Sequence, residues 1–203
     1  MTWLDDPERT NGEYYVPVAN GPTQHLQAKP SVATGYKNIA KDAKVKVTNA
    51  VIVDEDGKAK KSDETIKYLT DGYTVTKHMY RDWALHVEDE TTITLTFDDP
   101  RIVRAILVYN SYEYDYAFSK IDSIQFELAE TPTWYDGKGT SCYIKNLGFP
   151  VETAIKEQKT IYSGIASVAT FNEIKVKEIN ITIKDHLGKS DILNIAEVMV
   201  YGK

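Results

Sequence analysis

Hydrophobic and polar residues alternate with a period of two along most of the chain. Successive side chains of a β-strand point to opposite faces, so this period predicts strands with one buried and one solvated face. A nearly continuous apolar run at 102–109 instead indicates a strand buried on both faces, or a central strand of a sandwich. The alternating segments are 44–48, 92–97, 124–128, 161–165, 173–176, 179–183 and 198–201.

Turn residues separate these segments, and they include the Asp-Gly pairs at 56–57 and 71–72 and the Asp-Asp-Pro run at 98–100. Many short strands joined by loops predict an all-β fold, a two-sheet antiparallel β-sandwich. Helix is scarce, and only 151–159 and 190–196 are expected to form a short helix or turn.

The first 35 residues differ from the rest of the chain. They contain four prolines and three glycines but only a brief apolar stretch, too little to build a separate core. We therefore expect residues 1–35 to be a linker or N-terminal arm, and residues 36–203 to form the sandwich domain.

Glu197 stands out because it lies at the start of the last alternating strand, among apolar neighbours. A carboxylate is costly to bury unless it is paired. The sequence therefore predicts a partner for Glu197.

Charge and hydropathy narrow the class of partner. The net charge is -6, from 24 basic and 30 acidic residues that are well mixed, which argues against nucleic acid. No apolar run approaches the roughly 18 residues that span a bilayer, so no membrane insertion is expected. The N-terminus lacks the features of a signal peptide. We expect an extracellular or cell-surface protein of which this chain is one part, covalently linked to other domains.

Catalytic patterns are missing from the sequence. The four histidines have no zinc-binding spacing, and neither a Gly-x-Ser-x-Gly elbow nor a glycine-rich phosphate loop is present. We expect no enzymatic activity.

Two loop segments suggest binding chemistry. Four tyrosines fall within 109–116, and Trp134 and Tyr135 follow in a later loop. Such rings can stack on a sugar while nearby Asp, Glu and Asn accept from its hydroxyls, although alternate tyrosines are equally consistent with one face of a strand. The turn at Asp71 offers carboxylate and carbonyl oxygens of the kind that calcium takes, and it is also consistent with a plain turn.

The order of these motifs resembles the discoidin, or galactose-binding-like, family, which includes coagulation-factor type C domains and many bacterial carbohydrate-binding modules. The segment 38–48 is similar to the family's opening strand, and 69–72 to its Asp-Gly loop. The stretch 92–109 resembles its paired central strands, and 195–202 its closing strand. The match covers about Tyr36 to Lys203.

This resemblance implies a jelly-roll sandwich with a structural calcium ion. Asp71 and Glu197 would supply carboxylates and Ala196 a backbone carbonyl. The family's loop places a Trp about seven residues after the Asp, with a hydroxyl residue just before it. Here Trp83 follows twelve residues after Asp71, and Arg81 occupies the hydroxyl position, so an insertion is present. Either Thr74 or Thr76 then supplies the hydroxyl, or the site is reshaped or vacant.

The resemblance also implies a non-catalytic carbohydrate-binding module, from a secreted glycan-degrading protein, that binds a glycan or glycoconjugate through the loops at the Asp71 end. The alternative is a protein- or cell-surface-interaction domain of the same fold. The expected ligand contacts are Tyr73, His78, Tyr80, Tyr112, Tyr114, Trp134 and Tyr135.

Overall fold

The computed structural model describes residues 35–74, 84–88, 90–110, 112–132, 141–148, 154–155, 160–161 and 165–203. These residues form twelve β-strands and three short 3-10 helices, Ala40–Asp42, Glu64–Thr70 and Tyr114–Tyr116. The strands are β1 Lys37–Asn38, β2 Lys44–Val47, β3 Val51–Val53, β4 Ala59–Lys61, β5 Leu85–Glu88, β6 Thr91–Asn110, β7 Phe118–Leu128, β8 Ser141–Gly148, β9 Ala154–Ile155, β10 Thr160–Ile161, β11 Ala166–His186 and β12 Ile192–Gly202.

The fold is an all-β antiparallel sandwich, as the alternation predicts. In one layer, the first half of β6 pairs with β2 and with the second half of β11. That half of β11 also pairs with β7, and β7 pairs with β8. In the other layer, the second half of β6 pairs with β12 and with the first half of β11, and β12 also pairs with β1 and β5. Strands β6 and β11 therefore belong to both layers.

The change of layer explains a difference from the sequence-based expectation. The Asp-Asp-Pro run at 98–100 was expected to end a strand, yet β6 continues through it. These three residues are exposed, and the register with β11 shifts opposite them, between Val176 and Glu178. Bulges of this kind let a strand turn from one sheet into another.

The main core lies between the layers. Alternate residues of β6, β11 and β12 point into it, and each large aliphatic side chain contributes about 1.5–3 kcal/mol by leaving water. Members of this core include Ile93, Leu95, Ile106, Val108, Ile179, Ile181, Val198 and Val200.

The opposite face of the β12–β6–β11 layer is buried as well. Ala105, Leu107 and Tyr109 of β6 lie there beside Met199 and Tyr201 of β12. Burial on both faces accounts for the continuous apolar run at 102–109.

On the outer face of the other layer, the threonines of β6 are satisfied by β11. Thr92 lies 3.2 Å from the hydroxyl of Thr182, and Thr94 donates to Asn180 at 2.7 Å. Polar ladders of this kind suit a solvated face.

Two further sequence predictions are tested by the strand bounds. The short helix or turn expected at 190–196 is wrong from Ile192 onward, because pairing with β5 and β6 holds those residues in β12. At 151–159, only 154–155 are described, and they form a strand that pairs with β10. Within the described ranges, no helix has the length and apolar character needed to cross a bilayer.

The two ends of the described domain are neighbours. Lys37 pairs with Gly202 and Asn38 with Tyr201, so the first described strand forms an antiparallel pair with the last. The expected division into residues 1–35 and 36–203 stays a prediction, since residues 1–34 lie outside the described part.

Candidate functional site

Glu197 is a fully buried acid on β12, opposite Tyr109 of β6. Its Oε1 accepts a hydrogen bond from the backbone N–H of Gly72 at 3.1 Å. Its Oε2 is buried and has no hydrogen-bond partner in the structure described. A buried carboxylate oxygen of this kind is unusual, and either a cation or a proton shared with the Asp71 carboxylate would satisfy it.

The 3-10 helix Glu64–Thr70 leads directly into Asp71 and Gly72, the residues next to Glu197. It ends at Asp71, whose Oδ1 accepts the N–H of Tyr73 at 2.9 Å. Gly72 has a φ of 94°, a left-handed conformation that favours glycine. In this conformation its N–H donates to Glu197. The sequence prediction that Asp71 and Glu197 come together is therefore consistent with this geometry. We call Asp71 and Glu197 the acidic pair.

Both members of the acidic pair resist ionisation. Burial raises the pKa of Glu197 to about 9, and the nearby Asp71 charge adds to this against the opposing hydrogen bond from Gly72. Burial also raises the pKa of Asp71, although the N–H of Tyr73 opposes it. A cation beside the pair would remove this penalty, because an opposite charge favours the ionised form.

A β-bulge lies next to the acidic pair. The register between β12 and β6 shifts between Ile195 and Glu197, which leaves Ala196 as the extra residue. The extra residue of a bulge is unpaired in the ladder, so its backbone is available for another contact. Ala196 is the residue from which a backbone carbonyl ligand was expected.

The oxygen donors of this site fit a hard cation such as calcium. Two carboxylates and a bulge are present, but no group of three or more His, Cys, Asp or Glu side chains occurs within the described residues. Of the two expected hydroxyl ligands, Thr74 lies within the described residues and Thr76 lies outside them.

A cleft of about 290 Å³ opens at the start of β12. It lies between the β3–β4 hairpin, the 3-10 helix Tyr114–Tyr116 and the loop before β12. Its lining residues are Val53, Gly57, His86, Tyr116, Lys189, Ser190, Asp191, Ile192 and Asn194.

The floor of the cleft is made of two buried polar side chains. His86 of β5 and Asn194 of β12 are cross-strand partners, and each is only 2% exposed. The imidazole Nδ1 of His86 lies 2.5 Å from the Oδ1 of Asn194. The backbone N–H of His86 also donates to the hydroxyl of Thr65 at 3.4 Å, which connects the floor to the 3-10 helix that leads to Asp71.

Hydrogen bonds and one close contact hold the walls. The backbone N–H of Leu187 donates to the carbonyl of Ala117 at 2.8 Å, and that of Ser190 donates to the backbone carbonyl of Asp115 at 3.3 Å. Gly188 lies against Asp115 so closely that an added Cβ would sit 2.3 Å from the Asp115 Cα. The loop before β12 can therefore pack on the Tyr114–Tyr116 helix only with glycine at this position.

A buried amide closes the neighbouring loop. Asn110 donates from Nδ2 to the carbonyl of Phe118 at 3.0 Å, and its Oδ1 accepts the Phe118 N–H at 2.9 Å. The Asn110 side chain thus joins the end of β6 to the start of β7, two strands that pair with β11 rather than with each other.

Three of the expected ligand residues, Tyr73, Tyr112 and Tyr114, lie within the described part of the chain. Tyr73 is 62% exposed and follows the acidic pair, Tyr112 is 38% exposed, and Tyr114 belongs to the 3-10 helix beside the cleft. None of these three lines the cleft. The remaining expected contacts, His78, Tyr80, Trp134 and Tyr135, lie outside the described residues.

Sequence reasoning missed the residues that do line the cleft. His86 and Asn194 each sit in a strand among apolar neighbours, the same signal that drew attention to Glu197. Their pairing depends on the register of β5 against β12, which the sequence does not supply.

Comparison with known proteins identifies the fold. No family model and no curated protein matches the chain. A fucolectin from striped bass serum (Morone saxatilis) superposes with a TM-score of 0.51 and 14% identity, over 83% of this chain and 49% of that one, so the chain spans about half its length. A structure of ZmpB from Clostridium perfringens, which contains two CBM32 domains and an M60 catalytic domain, superposes with a TM-score of 0.50 and 12% identity. The match covers 84% of this chain and 15% of that one. The chain has the galactose-binding-like, or discoidin, fold.

Proposed function

We propose that the chain is a non-catalytic carbohydrate-binding module and that the cleft at the start of β12 holds the sugar. The observation that carries this proposal is the floor of the cleft, where the amide of Asn194 and the imidazole of His86 are buried together. Fixed polar groups in a concave site are how proteins orient small polar ligands. The named neighbours, a fucolectin and a protein with carbohydrate-binding modules, are in keeping with this role.

The polar lining suits sugar hydroxyls. Asn194 carries both donor and acceptor atoms, and Ser190 and Asp191 add oxygen acceptors at the rim. Tyr116 provides an aromatic ring in the wall. We propose that Tyr73, Tyr112 and Tyr114, with His78, Tyr80, Trp134 and Tyr135, extend the contact surface around the cleft.

Loss of the Asn194 amide tests this proposal. A glycan array on the purified protein supplies a ligand, and calorimetry then compares the parent with Asn194→Ala. Removing one partner of a buried polar contact costs about 1–3 kcal/mol, so affinity should fall roughly 5- to 150-fold. Asn180→Ala, on the outer face of the other layer, is the matched control and should bind like the parent. Equal affinity of both variants would place the sugar elsewhere.

We also propose that Asp71 and Glu197 hold a calcium ion that stabilises the fold, with Ala196 and Thr76 as further oxygen donors. The orphaned Oε2 of Glu197 and the unfavourable ionisation of both acids support this proposal. The ion would supply positive charge at the junction between the Asp71 loop and β12. The Glu197 carboxylate, for its part, fixes that loop against the strand by accepting the Gly72 N–H.

The setting of the domain is a proposal too. We propose that it acts outside the cell, joined to the other domains of a glycan-degrading protein, where tethering raises the local concentration of those domains at the glycan. The interaction-domain alternative would gain if the array showed no glycan binding. A pull-down from surface-exposed proteins with the purified domain would then be the informative measurement.

A further inference from the structure

One face of the β12–β6–β11 layer is buried although it points away from the core between the layers. We call it the covered face, and its members are Ala105, Leu107, Tyr109, Ala166, Ala196, Met199 and Tyr201. Leu107 is fully buried, and even Met199 is only 6% exposed. Within the described residues, every member of this cluster comes from β6, β11 or β12.

Strands of a single sheet cannot bury their own outer face. Side chains stand nearly perpendicular to a sheet, so neighbours on the same sheet shield their flanks and leave their tips open. A face as apolar and as buried as this one needs a second layer of chain over it.

Tyr36 brings the start of the described chain to the covered face. Lys37 pairs with Gly202, and the Nζ of Lys203 lies 4.8 Å from the centre of the Tyr36 ring. Because side chains alternate along a strand, Lys203 shares a face with Tyr201, and Tyr36 lies there with it. Tyr36 is buried, and its hydroxyl has no hydrogen-bond partner among the described residues. The cover therefore begins where the chain enters the described domain.

Other stretches of the chain outside the described residues join the domain at different places. Two of them, 75–83 and the segment between β8 and β11, begin or end beside Tyr109, at the end of the covered face nearest the acidic pair. A third, 133–140, joins β7 to β8 in the other layer. Residues 1–34 instead lead into β1, at the Tyr201 end of the covered face.

The sequence of residues 1–34 offers apolar side chains for this contact. Tyr14, Val16 and Val18 alternate, so an extended backbone would place their side chains on one side. Pro17 lies among them; it disfavours helix at Val16 and has no N–H that needs a partner. A segment of this kind can lie on a sheet face without adding a strand to the sheet.

The length of the N-terminal segment permits this placement. From Val18 to Tyr36 the chain can extend to at most about 60 Å, at about 3.3 Å per residue. The covered face measures roughly 13 Å along β6, from Ala105 to Tyr109, at a similar rise. The apolar residues of the segment can therefore reach every part of the covered face.

We propose that residues 1–34 are part of the folded domain and that Tyr14, Val16 and Val18 pack on the covered face. The proposal does not depend on the proposed glycan-binding function. The partner of this face is then the chain itself, so a second copy or another protein has no access to it.

Paramagnetic relaxation in the full-length chain tests the placement. Met199 lies on the covered face, and its ¹³C-labelled methyl group gives an NMR signal that is assigned with Met199→Leu. The single native cysteine is removed with Cys142→Ser, and a nitroxide is attached at Ala19→Cys. The Met199 signal should then lose most of its intensity. The same label at Lys46→Cys, an exposed position of β2 in the other layer, should leave the signal sharp.

Substitutions in the N-terminal segment provide a second test. Tyr14→Ser together with Val16→Ser should expose the Met199 methyl to a soluble paramagnetic compound, which broadens its signal. Tyr15→Ser is the matched control, because an extended segment would point this side chain away from the covered face. Met199 should stay protected in that control. The nitroxide-labelled protein keeps all three residues, so it tests the placement even where the double variant does not fold.

Each outcome supports the proposal or overturns it. Loss of the Met199 signal with the label at residue 19, together with exposure of Met199 in the double variant, supports it. A sharp Met199 signal with that label would overturn it. Protection that weakens on dilution would then identify a second copy as the cover, and protection independent of concentration would identify another segment of the chain. A parent protein in which the soluble compound reaches Met199, or a folded double variant in which Met199 stays protected, would also overturn it.

Discussion

Glu197 shows how a single residue can be placed against its own preference. Its carboxylate is fully buried and accepts a hydrogen bond from the Gly72 N–H. The carboxyl group of Asp71 lies close enough to raise the pKa of Glu197. In the absence of a cation, the folded protein therefore holds a proton that the unfolded chain releases above its ordinary pKa of 4.5. Because the folded state then binds more protons, its stability decreases as the pH rises.

The pH dependence of stability should report this proton. In buffer with EDTA, the free energy of unfolding should be highest near pH 5 and should fall as the pH rises toward 9, the window between the ordinary and the raised pKa of Glu197. Glu197→Gln keeps the side-chain shape and removes the charge, so its slope should be shallower. Urea unfolding at several pH values measures both slopes. An unchanged slope in the variant would show that another group holds the proton.

Calcium provides a second measurement on the same variant. A cation that binds only the folded state should stabilise it by about 2.7 kcal/mol at a hundredfold excess over Kd. Calcium should therefore raise the melting temperature of the parent at pH 8 and not that of Glu197→Gln. Glu127→Gln, on an exposed position of β7, should respond like the parent.

At the scale of elements, the loop before β12 depends on one glycine. Gly188→Ala would bring a Cβ to 2.3 Å from the Asp115 backbone, so the loop must move away from the Tyr114–Tyr116 helix. Overpacking of this kind costs about 1–3 kcal/mol, and we expect both lower stability and weaker ligand binding. Thermal unfolding and calorimetry measure the two effects.

Gly148→Ala is the matched control for that substitution. An added Cβ at Gly148 meets nothing within 4 Å, and the residue is exposed. Its stability should stay within about 0.5 kcal/mol of the parent. Parent-like behaviour of Gly188→Ala would mean that the two walls of the cleft are not tightly packed against each other.

The comparison of sequence with structure is also clearest at this scale. The alternation in 92–97 and 179–183 predicted the strands because burial of one face leaves a local trace. The bend at 98–100 was taken for a strand end, because a turn and a change of layer have the same local residues. Asp71 and Glu197 were linked through a family resemblance, whereas His86 and Asn194 meet only through the pairing of β5 with β12. Contacts of that kind follow from register, which no single segment encodes.

For the molecule as a whole, the two long strands predict cooperative unfolding. Because β6 and β11 each belong to both layers, neither layer can lose its pairing without disrupting the other. Calorimetry should therefore give one transition with equal calorimetric and van't Hoff enthalpies. Ile181→Val in one layer and Ile106→Val in the other should each cost about 0.5–1.5 kcal/mol and lower the same transition. Two resolved transitions in either variant would contradict this.

The position of β12 has a consequence for synthesis of the protein. This strand carries Asn194 of the cleft floor and Glu197 of the acidic pair, and it pairs with the first strand, β1. Chains emerge from the ribosome with the N-terminal part first, so β12 is the last of the described strands to appear. A chain interrupted before residue 192 lacks half of the cleft floor and half of the acidic pair. Under the proposed glycan-binding function, truncated products of this domain would thus be unable to compete with the finished protein for the sugar.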